Sequence, residues 1–269
     1  LQINPIDNSV KDNAGAEVSI FINYMPASQE EMAGLRTADV RKVEYLEFPT
    51  DPRFRGAQRA VNIIIQEYAY GGYTKISVDE NFLVGLSSRA NIFSKFSYKK
   101  MTYDLFVAAN NWNNHHASSD IEGIYSLKDA GGSDFLLSRE ETTDNAHFRQ
   151  NLFPVTFQAT YNTEQIQVRT TFGYSYSAFP IQNQRGLLSY SPGIADNYTF
   201  DRRNSSRSNS LSYKGSFYFA LPDNFSINAA PQFSYTHNNN ALTYVTSSTD
   251  PIVRNAQEDA YYYRVDAYL

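Results

Sequence analysis

From Tyr70 onward the chain repeats one pattern, in which apolar or aromatic residues alternate with Asn, Ser, Thr, Gln and charged residues. Gln165–Phe179 is the clearest case. Ile166, Val168, Phe172, Tyr174 and Tyr176 fall on one parity, and Gln167, Arg169, Thr171 and Ser175 on the other. Successive side chains of a β-strand point to opposite faces, so this period sorts the segment into an apolar and a polar face. Eight such segments are read in order: Tyr73–Leu83, Ser88–Lys99, Thr102–Asn114, His147–Asn162, Gln165–Phe179, Ser208–Leu221, Phe225–His237 and Asp259–Leu269. Apart from a short connection after the first (Val84–Leu86), their connections alternate. Tight turns at Lys99-Lys100, Thr163-Glu164 and Pro222-Asp223-Asn224 follow the second, fourth and sixth. Long polar loops, about 115–145, 180–206 and 238–255, are expected after the third, fifth and seventh. Outer-membrane barrels have short turns at one end and long loops at the other. A soluble β-sandwich gives no reason for that order. The expected fold is mainly β: a transmembrane antiparallel β-barrel, partial at about eight strands, preceded by a small α+β domain.

Composition agrees with that reading. The 269 residues include 21 Tyr and 18 Phe, and aromatics gather at strand ends (Tyr98, Tyr161, Phe179, Phe225, Tyr235), as interfacial girdles do. Mean hydropathy is -0.49, and no apolar run reaches the ~18 residues of a membrane helix. A barrel strand needs neither, because half of it faces water. There is no Cys, hence no disulfide framework and no thiolate metal site. A net charge of -5 without a basic run argues against nucleic acid as a partner. No signal peptide is visible at Leu1, so an outer-membrane chain would start here inside its mature sequence.

The first 66 residues read differently. Val18, Ile20 and Ile22 alternate with Ser19, Phe21 and Asn23 as in a half-buried strand. Ser28 followed by Glu31 is a capping box that opens a short helix with Met32 and Leu35 on one face. Glu30 and Glu31 then suit the positive end of the helix dipole better than they suit catalysis. Val43, Tyr45 and Leu46 form a strand that Pro49 and Pro52 end. Val61–Ile65 reads as a buried strand.

These elements resemble the plug domain of TonB-dependent outer-membrane receptors. Ile22-Asn23-Tyr24-Met25-Pro26 is similar to the family's I-D-G-x-P turn, and Val43-Glu44-Tyr45-Leu46-Glu47-Phe48-Pro49 to its I-E-x-x-x-G-P strand. Arg55-Gly56-Ala57 and Ala60-Val61-Asn62-Ile63-Ile64 are similar to the strand that passes into the barrel. Asn23-Tyr24 stands where Asp-Gly is usual, and Phe48 where Gly is usual. The stretch Asp51–Ala57 looks like receptors of Bacteroidetes-type bacteria. The resemblance implies the C-terminal part of a plug over residues 1–66 and the first barrel strands over 67–269. Plugged transporters have about 22 strands, so it also implies a piece of a larger receptor. The implied function is capture and import of a scarce nutrient at the bacterial outer membrane, without enzymatic chemistry and without a cofactor. Implied partners are outer-membrane lipid, a TonB-type energising complex acting through a segment upstream, and a surface lipoprotein. A small structural or adhesive eight-stranded barrel and a soluble carbohydrate-binding protein are the alternatives.

Candidate site residues divide in two groups. Asp51, Arg53 and Arg55 are expected to ion-pair the plug to the barrel wall, because the resemblance puts that loop in the lumen. Trp112, Tyr125, Tyr190, Tyr198, Arg202 and Arg203 are expected to meet ligand from the loops, with Phe135, Phe200 and Arg207 nearby. Trp112 precedes His115-His116, but adjacent His side chains on a strand diverge, which argues against a haem or metal site there. The four His (His115, His116, His147, His237) stand beside no catalytic partner motif.

Overall fold

Two short antiparallel strands, β1 (Gln2–Ile3) and β2 (Val10–Lys11), open the chain. The computed structural model describes residues 2–3, 10–11, 18–54, 56–66, 68–82, 85–129, 131–191, 196–247 and 250–268. A small α+β domain follows. It comprises β3 (Ser19–Ile22), β4 (Met25–Pro26), α1 (Gln29–Gly34), β5 (Val40–Glu47) and β6 (Arg59–Ile65). Its sheet runs β4-β3-β6-β5, with β3 and β6 parallel and the other pairs antiparallel. Both faces of the two central strands are covered. Val18, Ile22, Val61 and Ile63 pack with Met32 and Leu35 on one side. Phe21 and Ala60 pack with Phe54 on the other, so β3 is buried on both faces rather than one.

The β3–β4 turn carries Asn23 and Tyr24 at φ 47° and 68°. The left-handed region disfavours ordinary residues by roughly 1–2 kcal/mol each, and tertiary bonds hold this pair there. The amide of Tyr24 donates to Asn62 Oδ1 at 3.0 Å, and that of Ile65 to Asn23 Oδ1 at 3.0 Å. Asn62 is fully buried and donates in turn to Glu44 Oε2 at 3.1 Å. Phe48, at φ 49°, also adopts the conformation for which glycine is suited, and its ring is exposed.

The remaining strands are β7 (Tyr70–Asn81), β8 (Leu86–Tyr98), β9 (Met101–Lys128), β10 (Asp134–Asn162), β11 (Ile166–Tyr190), β12 (Tyr198–Ala220), β13 (Ser226–Thr246) and β14 (Ile252–Tyr268). They form one antiparallel meander, in sequence order, which is the mainly-β barrel-type wall. Among the described residues β7 pairs only with β8 and β14 only with β13. The stretches expected as long loops are mostly paired strand: β9 and β10 continue together to Lys128 and Asp134, and β11 and β12 to Tyr190 and Tyr198. The reason is physical. Where both faces of a ribbon are wet, no apolar alternation is required, so the backbone pairs without a period to reveal it.

The register aligns the two faces across the whole wall. One row runs Ile76, Ile92, Val107, Val155, Tyr174, Leu211, Tyr235, Tyr261, each directly opposite the next. A row of the opposite parity runs Tyr73, Lys95, Asp104, Gln158, Thr171, Lys214, Gln232, Arg264. The apolar face is bare, with Ile76 67% and Leu211 52% exposed. Toward the short turns it ends in a row of Tyr70, Tyr98, Met101, Tyr161, Val168, Phe217, Ala229 and Ala267. From Tyr161 up to Phe153, eight residues at ~3.4 Å each make the apolar stretch of β10 about 27 Å long.

Candidate functional site

The small domain meets the wall on the polar face, and the contact is built around α1. Ser28 caps this helix. Its Oγ accepts from the Glu31 amide at 3.1 Å, and Glu31 Oε2 accepts from the Ser28 amide at 3.0 Å. The other carboxylate oxygen leaves the domain. Glu31 Oε1 accepts from Arg169 Nη2 on β11 at 3.1 Å and from Gln158 Nε2 on β10 at 2.9 Å. Arg169 Nη1 also donates to the Pro26 carbonyl. Gln158 Nε2 reaches Asp104 Oδ2 at 3.2 Å, and its own Oε1 accepts from Thr171 Oγ1 at 3.2 Å. Lys95 lies 2.9 Å from Asp104. Glu31, Asp104, Gln158 and Arg169 are all buried. Four strands and one helix thus share a single buried charge network.

Three contacts flank it. The Tyr73 hydroxyl donates to the Gly34 carbonyl at 3.0 Å. The Arg36 guanidinium lies 3.9 Å over the Tyr73 ring, a cation–π contact. Gly34 rests on Phe93, where a Cβ would meet ring carbons at 2.4 Å. Between domain and wall a cavity of about 310 Å³ is lined by Glu31, Asp39, Tyr68, Lys95, Asp104 and Arg169 among others. It is large and polar enough to hold water. Hydrogen bonds from Arg36 hold the Asp39 carboxyl below the usual carboxylate range against the opposing effect of burial, and the Tyr68 hydroxyl adds to them.

Of the expected plug-to-wall residues, Arg53 lies within electrostatic range of Tyr218 on β12, but its ion pair is with Asp51. Asp51 and Arg53 bond to each other through the Arg53 amide and guanidinium, at 2.9 and 3.0 Å, and Arg53 stacks 3.8 Å over Tyr24. Burial raises the Asp51 carboxyl, and the Arg53 bonds more than offset it, leaving it low. Arg55 lies outside the described residues. The carboxylate that hydrogen-bonds to the wall is Glu31, which capping chemistry had accounted for within the helix. Its second role shows in sequence only as Arg169 and Gln158 on the polar parity of distant strands.

The expected ligand residues separate by face. Trp112 shares the polar face with Gln150 and stacks near Phe148, centroids 6.3 Å apart. Tyr190 and Tyr198 approach each other across the tip of β11–β12, with hydroxyls 3.0 Å apart. Arg202 is on the polar face, 5.5 Å over Tyr244 and 3.2 Å from Gln184 Oε1. Arg203 is on the other face, bound to Asp201, which also holds Arg185 at 3.0 Å. Arg202 therefore points away from Arg203 and Arg207, which share the other face four residues, about 14 Å, apart. Tyr125 is exposed near the far end of β9, opposite Leu137. His115 and His147 stack at 4.1 Å, each bonded to the Asn113 amide, and His237 pairs with Asp259 at 2.7 Å. Among the described residues no group of three or more His, Asp or Glu gathers as a metal site would need.

No protein-family model and no curated protein matches the chain. Among solved structures it is similar to the ferric yersiniabactin uptake receptor FyuA from Yersinia pestis. The TM-score is 0.36 and the identity 12%, over 93% of this chain and 52% of that one. The chain spans about half the length of that receptor chain.

Proposed function

We propose that the chain is a plug-and-wall portion of a TonB-dependent outer-membrane receptor that binds and imports a scarce nutrient. The observation that carries this reading is the Glu31 carboxylate. It joins a small α+β domain to the polar face of a β-wall whose opposite face is an exposed apolar band. A soluble binding protein would hide that band, whereas a bilayer covers it. An eight-stranded barrel would fill its interior with its own side chains. Here a separate domain occupies the polar side. In this reading the polar face looks into the lumen, the short turns into the periplasm and the long hairpins outward. Trp112, Tyr190, Tyr198 and Arg202, on or near the upper inner wall, are the residues placed to meet ligand. The mechanism is displacement: an energising complex of the TonB kind pulls on a preceding segment, the Glu31 contacts give way, and ligand passes. No covalent step is involved, and a surface lipoprotein would act as a partner at the outer mouth.

The test is fractionation of the source cell with an antibody to this chain, combined with a disulfide lock. Recovery with the outer membrane, extractable only by detergent, is expected. Glu31→Cys/Arg169→Cys, oxidised, should abolish growth on the imported nutrient, and reductant should restore it. Recovery in a detergent-free soluble fraction would sink the reading.

A further inference from the structure

The outward face of β10, β11 and β12 holds two features that nutrient uptake leaves unused. The first is an apolar groove of about 420 Å³, lined by Val155, Phe157, Phe172, Tyr174, Leu211 and Tyr213. These side chains belong to the apolar rows, on the face away from the small domain. The second is a pair of arginines farther up the same strands. The β9–β10 register is continuous through Arg149, Gln150, Asn151 and Leu152, and Arg149 has the parity of Val155 and Phe157. Arg207 has the parity of Leu211 and Tyr213 on β12. Both arginines are exposed. Among the described residues neither has an ion-pair or hydrogen-bond partner, whereas Arg139, Arg169, Arg185 and Arg203 all do.

The register fixes their spacing. Arg149 is opposite Ile181 and Arg207 opposite Ala178, on the two sides of β11. Two inter-strand steps of ~4.8 Å put them about 10 Å apart across the sheet. At ~3.4 Å per residue, Arg207 is about 14 Å above Leu211 and Arg149 about 20 Å above Val155. Between groove and arginines the face turns polar: the Tyr174 hydroxyl donates to Asn209 at 3.0 Å, and Asn151 lies opposite Ala178. From bottom to top the strip reads apolar groove, neutral hydrogen-bonding groups, then two uncompensated cations.

We infer that this strip is a binding site for a phosphate-bearing lipid of the outer leaflet, its acyl chain in the groove and its headgroup phosphates on Arg149 and Arg207. A neutral lipid would leave the two guanidiniums uncompensated, and a free anion would leave the groove unused. Guanidinium is the side chain best suited to bind phosphate in a bidentate manner. The inference rests on the reading above, in which the apolar band lies in a bilayer with the long hairpins outside.

The test uses the full chain reconstituted in phosphatidylcholine vesicles containing a minor fraction of lipid A. The chain is re-extracted in mild detergent and the co-purifying lipid is weighed by mass spectrometry. The wild type should retain lipid A in preference to phosphatidylcholine. Arg149→Gln/Arg207→Gln should retain it at least about ten-fold less, as expected for loss of a charge-assisted contact. Leu211→Trp, which fills the groove and leaves both arginines in place, should also reduce retention. Equal retention by the arginine variant overturns the inference, as does equal retention of phosphatidylcholine by the wild type. Protease protection of the wall in vesicles without lipid A reports separately on the membrane reading. A protected wall with unselective lipid retention removes the lipid site alone. An unprotected wall removes both.

Discussion

Glu31 and Arg169 are separated by 138 positions in the chain and by 3.1 Å in the fold. The carboxylate divides its two oxygens, one closing the cap of its own helix and the other reaching the wall. Helix α1 has only six residues, too few to be stable alone. Its integrity and its attachment to the wall are therefore one event.

Removing one member of that pair should be costly. Arg169→Met leaves a buried carboxylate held by Gln158 and the Ser28 amide but paired with no cation, and a loss of about 3–5 kcal/mol is expected for an uncompensated buried charge. Glu31→Gln in the same background keeps the capping box and removes the charge, so it should recover part of the loss. Urea unfolding in detergent, run as a double-mutant cycle, measures the coupling. Additive effects would mean that the two side chains are not a unit.

Gly34→Ala should loosen the seam. The added methyl would meet the Phe93 ring at 2.4 Å, and Phe93 is buried. Overpacking of this kind costs roughly 1–3 kcal/mol. Pairing it with Phe93→Ala should return protease resistance of the small domain toward that of Phe93→Ala alone. If Gly34→Ala is as resistant as the wild type, the helix does not rest on Phe93.

Phe48→Gly and Tyr24→Gly should move stability in opposite directions. Both side chains stand at positive φ. The Phe48 ring is exposed, so relief of strain of ~1–2 kcal/mol outweighs the ~0.5–1 kcal/mol entropy cost of glycine. Tyr24 packs on Phe54, 5.8 Å between centroids, and supports Arg53, so its removal loses more than it relieves. Melting temperatures of the two variants settle the order.

Acid should destabilise the small domain in a defined window. Bonds from Arg36 hold Asp39 below its ordinary value, bonds from Lys42 hold Glu44 below its own, and the Arg53 bonds overcome burial at Asp51. A depressed carboxylate stabilises the fold above its unfolded pKa and loses that contribution as pH falls through the folded one. The loss should therefore begin below about pH 4 and be absent between pH 6 and 8. Amide exchange of β5 and β6 against pH tests it. A loss of protection centred near pH 6 would point to a different group.

The parity of Ile166, Val168 and Phe172 against Gln167, Arg169 and Thr171 was legible in the chain because bilayer or core on one side and water on the other impose a period. The upper halves of β9 to β13 were not, since a ribbon wetted on both faces obeys no such rule. The Ser28–Glu31 cap was legible as local chemistry. That the same Glu31 reaches Arg169 was not, because nothing near residue 31 encodes which polar position of which strand will lie beside it. Arg202 and Arg203 show the converse: neighbours in sequence, they serve opposite faces once the strand is drawn.

The seam between domain and wall has one further property. Carboxylate, guanidinium, amide and phenol groups meet there beside a cavity large enough for water, which Ile22, Met25, Leu35 and Ile65 also line, and Gly34 rests on Phe93. Parting such surfaces would trade those hydrogen-bond partners for water, an exchange whose net cost per bond is small. A joint that keeps water beside its bonds is nearer to a wet bearing than to a glued one.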